Sequence, residues 1–520
     1  MTTKKNILVA FDSLNQNSIK FDFVEDLISN NNINAYIVLL ENNPKRDLTI
    51  LNHYLFSLIH AFEIRRNIKH QKKFTNFSQK KSLQDLISIN DNLKLIEEFE
   101  HLEISKKTDM IINFTKLDLP NEFNQNETYS VFPHLDFVSK NIGIFKSILN
   151  KSDSAKISIL KKNLQSSEFL SMKIQLPVHR VLTIANLLCE VRILNLLTRI
   201  ATNQSSYTSK FLPAAPSFDI KKISFLELIR YVFDKLFHRL QKNIITKPDF
   251  SIYYLNSNNT EVDFLKKRKL KGNKNSFLAD PFLYKHNNKV YCFFEEYDKD
   301  ISKGHISVAE YQNSEFIYIG KVLNENHHLS YPYIFSDNNE IYMVPESSEC
   351  NQINLYKAVK FPLIWKLEKV LIKNVSAVDV NIFNKNNYWW LFTNVDLSRT
   401  KYPNFKDHSQ ELNIYYSTEL VSDSWTPHPE NPVVINSEKA RGAGFLKEKN
   451  NLIRVSQKKG FGNQYGKGIS FNKIIKLSES KYTEENIKHM NFLNFPNNFY
   501  IHHIDKDEDL VVFDGRSIKN

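Results

Sequence analysis

Glycine is scarce in this 520-residue chain, with eleven glycines making up about 2% of the sequence against a usual ~7%. Only Gly143 lies before Gly272. Phosphate-binding loops of the G-x-G-x-x-G and P-loop kinds need several glycines close together, because backbone amides must approach the phosphate. The first half of the chain therefore contains neither kind of loop.

Cysteine and long apolar runs are also lacking. The three cysteines, Cys189, Cys292 and Cys350, are too few and too far apart for a disulfide framework or a zinc cluster. No stretch approaches ~18 uninterrupted apolar residues, so no transmembrane helix is expected. The opening MTTKKNILVAFDSLNQ indicates a first strand, not a signal peptide. These absences predict a cytoplasmic protein.

The net charge is +12, from 69 Lys and Arg against 57 Asp and Glu. This balance is compatible with nucleic acid, an anionic membrane surface or an acidic glycolipid as partner. The lysines are scattered and not interleaved with aromatic residues, so no nucleic-acid partner is predicted.

Residues 1–201 alternate apolar strands with helical segments, which predicts an α/β domain with a largely parallel sheet. The predicted strands are 6–11, 34–40, 109–114, 129–132 and 155–160, and the predicted helices are 18–29, 136–149 and 183–200.

Residues 202–250 are predicted to be a linker followed by an amphipathic helix over 223–245. One face of that helix holds Phe225, Leu228, Val232, Leu236 and Leu240, and basic residues lie largely elsewhere. Two fates are open. The helix packs between two domains, or it lies on an anionic membrane and makes the protein peripheral to the inner membrane.

Residues 251–520 carry a repeat of about 50 residues, built from short aromatic strands and polar turns. Four segments superpose, and a weaker fifth begins near Phe499: DPFLYKHNNKVYCFFEE, YPYIFSDNNEIYMVPES, DVNIFNKNNYWWLFTNV, GAGFLKEKNNLIRVSQK and FYIHHIDKDEDLVVFDG. Repeats of this length with several strands each are typical of a β-propeller. The sequence therefore predicts a five-bladed β-propeller.

An Asn-Asn pair recurs at the same place in three repeats, where a two-residue hairpin turn needs left-handed backbone. Counting outward from each turn predicts which residues face each other: Asp280 and Glu295, Tyr331 and Glu346, Asp379 and Asn394, Gly442 and Gln457. Opposed residues project to the same side of a sheet. The acids are therefore expected at one mouth of the channel, with Asn394 and Gln457 beside them.

Four carboxylates around one opening repel each other unless something uses them. One alternative is sugar chemistry, in which a carboxylic acid and a carboxylate act across a pocket. Others are a divalent cation at the propeller axis, and salt bridges to neighbours such as Arg441. The glycine-rich segment 460–468, which contains Tyr465, follows Gln457 and is expected either to close over a sugar or to be a plain surface loop.

The motifs LADPFLY, FFEEYD, KGHISVAEY, HHLSYPYIF, MVPESSE, SAVDVNIF, WWLFTN and WTPHPENPVV run in order through residues 250–518. In them the chain resembles the glycoside hydrolase family 43 type of propeller, in the subgroup found as the N-terminal domain of plant glucosamine inositolphosphorylceramide transferase. In that hydrolase family, acids on the first three blades act as base, pKa modulator and acid. The resemblance places Asp280 at the base position, Tyr331 at the second and Asp379 at the third.

The resemblance implies sugar binding and further roles for nearby residues. Asp280 is the candidate base, Glu346 or Asp379 the candidate acid and Glu295 a modulator. Candidate substrate contacts are His305, His328, Tyr331, Asn394, Arg441, Gln457 and Tyr465. Trp365, Trp389, Trp390 and Trp425 are candidates for sugar stacking or for blade packing.

Residues 5–200 are similar to the formyltransferase fold in the rhythm of DMIINFT, YSVFPHLD and SAKISILKKNLQSSEFL. That family uses an Asn, a His and an Asp. Ser130 stands near the first position, Pro133 or His134 near the second and Asn163 near the third. The resemblance therefore implies a Rossmann-like domain that has lost its formyl-transfer site.

Together these patterns predict a carbohydrate-active protein of bacterial cell-surface glycan or glycolipid biosynthesis, which transfers or hydrolyses a sugar. A non-catalytic carbohydrate-binding or scaffold protein is the alternative, and a sugar N-formyltransferase is a further one. A sugar donor is a possible cosubstrate for transfer.

Overall fold

The computed structural model describes the chain in fifteen ranges: 4–40, 80–96, 100–115, 119–132, 137–175, 182–202, 207, 210–213, 224–241, 250–256, 266–396, 408–448, 451–460, 464–487 and 499–517. Contacts divide the chain into two compact units, Met1–Ile244 with Thr400–Phe405, and Ile245–Arg399 with Lys406–Asn520. Within the described ranges, every helix is too short or too polar to cross a membrane.

The first unit is built from strands and helices in alternation. Its strands are β1 (Lys5–Phe11), β2 (Asn15–Asn17), β3 (Ile33–Leu39), β4 (Lys80–Ser82), β5 (Leu93–Leu95), β6 (Met110–Asn113), β7 (Thr128–Phe132), β8 (Ser154–Lys162) and β9 (Ser167–Gln175). Its helices are α1 (Ser18–Ile28), α2 (Leu83–Ile89), α3 (His101–Lys107), α4 (Phe137–Leu149), α5 (Leu182–Thr202) and α6 (Phe225–Gln241), with a 3₁₀ turn at Asn121–Phe123.

Seven strands form one mixed sheet in the order β5-β3-β1-β6-β7-β8-β9. The first five run parallel, as expected for buried strands such as KNILVAF of β1, which are apolar almost throughout. Strands β8 and β9 run antiparallel, so the expectation of a largely parallel sheet fails at this edge. The hairpin that joins β8 to β9 makes these two strands antiparallel to each other, and in its turn the Asn163 side chain accepts hydrogen bonds from the backbone of Gln165 and Ser166.

The strands and helices predicted within residues 1–201 lie within about two residues of the observed ones, whereas the helix predicted over 223–245 is observed over Phe225–Gln241, with residues 242–245 outside the described ranges. Asn163 serves the hairpin turn, and Ser130 lies within β7, opposite Leu160. Pro133 and His134 lie outside the described residues. The likeness to a formyltransferase fold stays a prediction.

The second unit consists of strands joined mainly by hairpins. They are β10 (Ser251–Asn256), β11 (Arg268–Lys269), β12 (Ser276–His286), β13 (Lys289–Asp298), β14 (Lys303–Gln312), β15 (Glu315–Leu323), β16 (Ser330–Asp337), β17 (Glu340–Glu346), β18 (Gln352–Lys360), β19 (Ile364–Lys373), β20 (Ala377–Lys385), β21 (Tyr388–Val395), β22 (Glu411–Ser417), β23 (Thr426–Pro427), β24 (Val434–Ile435), β25 (Gly442–Glu448), β26 (Asn451–Gly460), β27 (Gln464–Leu477), β28 (Tyr482–Ile487), β29 (Phe499–Asp507) and β30 (Leu510–Ser517), with a 3₁₀ turn at Ser348–Cys350.

These strands form five antiparallel sheets, which confirms the five-bladed β-propeller. Four sheets follow the chain: β12 to β15, β16 to β19, β20 to β23 with β24, and β25 to β28. The fifth sheet has the order β11-β10-β30-β29. It joins both ends of the unit, because β10 pairs with β30. The first strands of the hairpins, β12, β16, β20, β25 and β29, contact each other in turn and close a ring around the axis.

An apolar core fills each of the five spaces between neighbouring blades. The four tryptophans belong to these cores: Trp365 between the first and second blades, Trp389 and Trp425 between the second and third, and Trp390 between the third and fourth. Each is less than a tenth exposed. Blade packing, not sugar stacking, therefore explains all four.

Candidate functional site

A pocket of about 240 Å³ opens at the axis of the propeller. This is below the ~300–1,000 Å³ usual for drug-sized ligands, so it suits a group the size of one sugar ring. Its walls come from the first, second, fourth and fifth blades and from the residue just before β10. They are Phe250, Phe277, Ala279, Asp280, Glu295, His328, Ser330, Glu346, Arg441 and His502.

A β-bulge at the same level of every inner hairpin shapes this mouth. The predicted pairing holds near the turns, where Phe282 lies opposite Phe293, but it shifts by one residue farther out. Glu295 therefore faces Ala279, not Asp280, and the second, third and fourth blades show the same shift. The predicted pairs Asp280–Glu295, Tyr331–Glu346, Asp379–Asn394 and Gly442–Gln457 are all wrong by this one residue.

The bulge puts residues of the inner strands in left-handed backbone. Asp280, Tyr331 and Asp379 have φ of 52°, 47° and 54°, and Gly444 has φ of 118°. Aspartate tolerates this conformation, whereas a tyrosine rarely adopts it. Bulges commonly re-aim side chains near active sites, and here Asp280 comes to line the pocket.

Asp280 is held in a buried charge network with the fifth blade. His502 lies between two carboxylates: its Nε2 is 3.2 Å from Asp280 Oδ1, and its Nδ1 is 2.6 Å from Asp514 Oδ2. The backbone N–H of Asp280 donates to Asp514 Oδ2 at 2.9 Å, and that of His503 donates to Asp514 Oδ1 at 2.8 Å. Burial alone would raise the pKa of Asp280, but His502, His503 and Arg441 outweigh it and lower the pKa to about 2.

Glu295 faces the same pocket, but its pKa is shifted in the opposite direction from that of Asp280. Burial, together with the charges of Asp280 and Glu346, raises the pKa of Glu295 well above its usual value. His328 Nε2 lies 3.4 Å from Glu295 Oε1. The backbone N–H of Gly304 donates to His328 Nδ1 at 3.0 Å, so in the neutral ring the proton sits on Nε2, which faces the carboxyl group.

Glu346 is the third carboxyl group of the pocket. Burial and the charges of Asp379 and Asp280 raise the pKa of Glu346 to about 7, against the opposing effects of Arg441 and of a hydrogen bond from Ser348 Oγ. At neutral pH the pocket therefore contains the ionised carboxylate of Asp280 next to two carboxyl groups of raised pKa, of which Glu346 is about half protonated.

Replacing Glu346 with Gln is expected to make the protein relatively more stable as pH rises. The raised pKa of Glu346 means that, between pH ~4.3 and about 7, the unfolded chain releases a proton that the folded chain keeps, so folding loses stability across this window. Gln removes that loss. Urea unfolding at pH 5 and pH 8 should show the free energy of unfolding of Glu346→Gln gaining on the wild type. An unchanged difference between the two proteins would mean that Glu346 ionises normally, and a gain for the wild type would mean that its pKa is lowered; either result would contradict the raised pKa.

Asp379 does not line the pocket, which corrects its prediction as a candidate acid. Arg441 holds both of its carboxylate oxygens, with Nε donating to Oδ2 at 2.7 Å and Nη2 to Oδ1 at 3.4 Å. Because the carboxylate is only 3% exposed and bound in this way, it cannot release a proton to a substrate. Its role is to position Arg441, which does line the pocket, as predicted for a substrate contact.

Three other predicted substrate contacts lie beside the pocket but not in it. Tyr331 is fully buried, and its hydroxyl bonds Asn381. Asn394 donates to the carbonyls of Glu411 and Ala440. Gln457 donates to the carbonyl of Gly442. Asn394 and Gln457 thus hydrogen-bond to backbone carbonyls, and Tyr331 to a neighbouring side chain. These contacts explain their burial without a ligand.

His305 lies on the other side of its sheet from Glu295. It pairs with Glu296 across the strands, and its Nε2 is 3.3 Å from Glu296 Oε2. Hydrogen bonds from Ser307, Tyr318 and Asn273 also reach Glu296. His305 is therefore part of a buried network, while His328 lines the pocket. The side chain of Tyr465 and residues 461–463 of the glycine-rich segment lie outside the described residues.

Sequence reasoning missed four residues of the site: Phe250, Phe277, His502 and Asp514. The two phenylalanines form half-buried aromatic walls, and the Phe277 ring stacks on Tyr297 at 4.7 Å. For Asp514 the sequence did contain a signal. Counting outward from the turn of the fifth repeat places His503 opposite Asp514, as observed.

The predicted divalent cation has one candidate set of ligands among the described residues, namely Asp280, His502 and Asp514. Each ring nitrogen of His502 already faces a carboxylate at 3.2 Å or less. These three side chains are the ones that would hold the ion, and a divalent cation at the propeller axis stays a prediction.

Residues 265–505 match the family model described as glucosamine inositolphosphorylceramide transferase 1, N-terminal. The chain is 39% identical over 220 residues to glucosamine inositolphosphorylceramide transferase 1 of Arabidopsis thaliana, and 36% identical to that of Oryza sativa subsp. japonica. The match covers 41% of this chain but only 27% and 28% of these plant proteins. The chain thus spans little more than a quarter of their length, and a bacterial origin stays a prediction.

Two solved glycoside hydrolases are weakly similar in fold. They are the GH43 protein BlXynB of Bacillus licheniformis, with 12% identity and a TM-score of 0.34 over 49% of this chain and 59% of that one, and the family 117 enzyme Zg3597 of Zobellia galactanivorans, with 10% identity and a TM-score of 0.33 over 52% and 93%. By the sequence comparisons, the C-terminal region of this chain, residues 265–505, is thus similar to the N-terminal domain of glucosamine inositolphosphorylceramide transferase 1.

Proposed function

We propose that the propeller binds one sugar of a glycan or glycolipid in the axial pocket and transfers or hydrolyses it by acid–base catalysis. A single observation supports this most strongly: one pocket holds Asp280, whose pKa is lowered, beside Glu295 and Glu346, whose pKa values are raised. Carboxyl groups whose pKa values are driven apart in one cleft typically divide the roles of base and acid.

In the proposed reaction Asp280 accepts the proton of the attacking hydroxyl group. The oxygen of that group forms the new bond to the anomeric carbon while the bond from that carbon to the leaving oxygen breaks. Glu346, with its pKa of about 7, donates its proton to the leaving oxygen. Attack by water gives hydrolysis, and attack by an acceptor sugar gives transfer from a sugar donor.

The charges in the pocket favour a sugar that carries an amino group. Asp280 is matched by His502 and Asp379 by Arg441. Burial and neighbouring acids raise the pKa values of Glu295 and Glu346, although His328 lies 3.4 Å from Glu295 and Arg441 acts on Glu346, so both carboxyl groups keep their protons more readily than an ordinary glutamate. An ammonium group would replace those protons. The relatives are named for glucosamine and for inositolphosphorylceramide, which agrees with an amino sugar on a lipid as the substrate class.

Isothermal titration calorimetry with glucosamine, N-acetylglucosamine and glucose tests the site. We expect glucosamine to bind most tightly. Phe277→Ala should weaken that binding about tenfold, because it removes the aromatic wall on which the sugar face packs. Phe335→Ala is the matched control, since Phe335 is also half-buried and stacked on a tyrosine, Tyr342, but does not line the pocket. Equal losses in the two variants, or no binding of any sugar, would refute the proposed site.

A second candidate function is sugar binding without catalysis. It is favoured by the loss of the hydrolase arrangement, since Tyr331 fills the second-blade position and Arg441 holds the third-blade acid, Asp379. In the catalytic function Asp280 is needed for turnover. In the binding function it only shapes the pocket.

A further inference from the structure

The described side chains of helix α6, residues 225–235, anchor it to the first unit by one face. Leu228 and Tyr231 on that face are 3% and 2% exposed. The Tyr231 ring lies 5.0 Å from the ring of Phe145 on α4, and Lys235 Nζ lies 4.6 Å from the Tyr231 ring centroid. These contacts fix how the helix is rotated about its own axis.

That rotation leaves a second apolar face exposed. Phe225, Leu226, Val232 and Phe233 are 55%, 75%, 40% and 66% exposed. Their spacing of i, i+1, i+7 and i+8 puts them on one side of a helix, with Ile229 between them. Helical spacing in the sequence predicts that Phe225, Leu228 and Val232 lie on one face. The structure instead shows two apolar faces, because Leu228 points into the unit and the others do not.

Arg230 flanks the exposed face, within a stretch of sequence that is rich in basic residues. Residues 221–242 contain six Lys and Arg against two Asp and Glu, and Arg230 is exposed next to the apolar face. Leu236, Phe237 and Leu240 continue the same helical spacing in the sequence, although their side chains lie outside the described residues. Bulky apolar side chains beside a basic flank are typical of a helix that lies in the interface of an anionic bilayer.

We propose that helix α6 docks the protein onto an anionic lipid bilayer, with Phe225, Leu226, Val232 and Phe233 inserted among the lipids. Charge complementarity selects this partner over an apolar groove of another protein. The docking face belongs to the first unit and does not depend on the sugar pocket of the propeller.

Vesicle co-sedimentation of the full chain tests this docking. The vesicles are phosphatidylcholine with phosphatidylserine in a roughly two-to-one ratio, or phosphatidylcholine alone. We expect clear binding to the anionic vesicles, weaker binding to the neutral ones, and release in high salt. Leu226→Ser should weaken binding about tenfold, and the double variant Leu226→Ser/Phe233→Ser on the order of a hundredfold, because each lost side chain removes apolar area from the lipid contact.

Leu164→Ser is the matched control, since Leu164 is 69% exposed in the same unit but far along the chain from α6. It should bind vesicles as the wild type does. Unchanged circular dichroism and unchanged glucosamine affinity would show that the α6 variants are folded and retain the sugar site. Docking is refuted if the wild type does not bind anionic vesicles, or if the double variant binds like Leu164→Ser. The wild type could fail to bind vesicles while its molar mass, measured by light scattering, is higher than that of the double variant. This result would identify a protein partner instead of a bilayer.

Discussion

Replacing Asp280 with Asn is expected to lower sugar turnover by ~10²–10⁴-fold, the usual contribution of a general base. Asn keeps the size of the side chain but cannot accept the proton of the attacking hydroxyl group. The amide fills the same space beside His502, so glucosamine affinity should change much less than turnover. Rates on aryl glycosides of glucosamine and N-acetylglucosamine, with calorimetry on the same variant, measure the two effects separately.

Asp298→Asn is the control, because Asp298 is an acid at the end of β13 in the same blade but does not line the pocket. Full turnover in Asp280→Asn would rule out Asp280 as the base. Wild-type protein that binds glucosamine tightly but turns over none of these glycosides would favour the non-catalytic function.

Replacing Arg454 with Met is expected to lower the free energy of unfolding by about 3–5 kcal/mol, since it leaves a buried carboxylate without its partner. Arg454 is 1% exposed, and its Nε and Nη2 donate to the two oxygens of Glu484 at 2.8 and 2.7 Å. It also donates to the carbonyls of Lys439 and Ala440, which tie the fourth blade to the segment before β25. Urea unfolding of the full chain measures the loss.

The double variant Arg454→Met/Glu484→Gln should recover part of that stability, because no unpaired charge remains buried. Lys476→Met is the control, as Lys476 is an exposed cation on β27 of the same blade and should change stability by less than ~0.5 kcal/mol. A double variant less stable than Arg454→Met would contradict the ion-pair explanation.

The propeller was predictable from sequence because its turns leave a local signature. Asn287 and Asn288, like the equivalent asparagine pairs of the next two blades, have positive φ, as a two-residue hairpin turn requires. Register near each turn followed from these pairs. The mouth did not, because the one-residue bulge there depends on how five inner strands meet at the axis. A tyrosine rarely has positive φ, so Tyr331 does not reveal in the sequence that a bulge lies there.

The charge network was only partly predictable. The acids Asp280, Glu295 and Glu346 were expected at one mouth and lie around one pocket. The pKa values of Asp280 and Glu295 depend on His502, which comes from the fifth blade more than 200 residues away and belongs to the weakest repeat. Helix α6 shows the same limit. Periodicity identified the helix, but only packing of Tyr231 against Phe145 shows which face is left exposed.

A crystal structure of the full chain soaked with glucosamine at about neutral pH tests the central claim most directly. The sugar should occupy the pocket between Asp280 and Glu346, with one face on Phe277 and its ammonium group within hydrogen-bond distance of Glu295 or Glu346. A saturating concentration of glucosamine, judged by calorimetry, that leaves this pocket empty or fills a different site would contradict the claim.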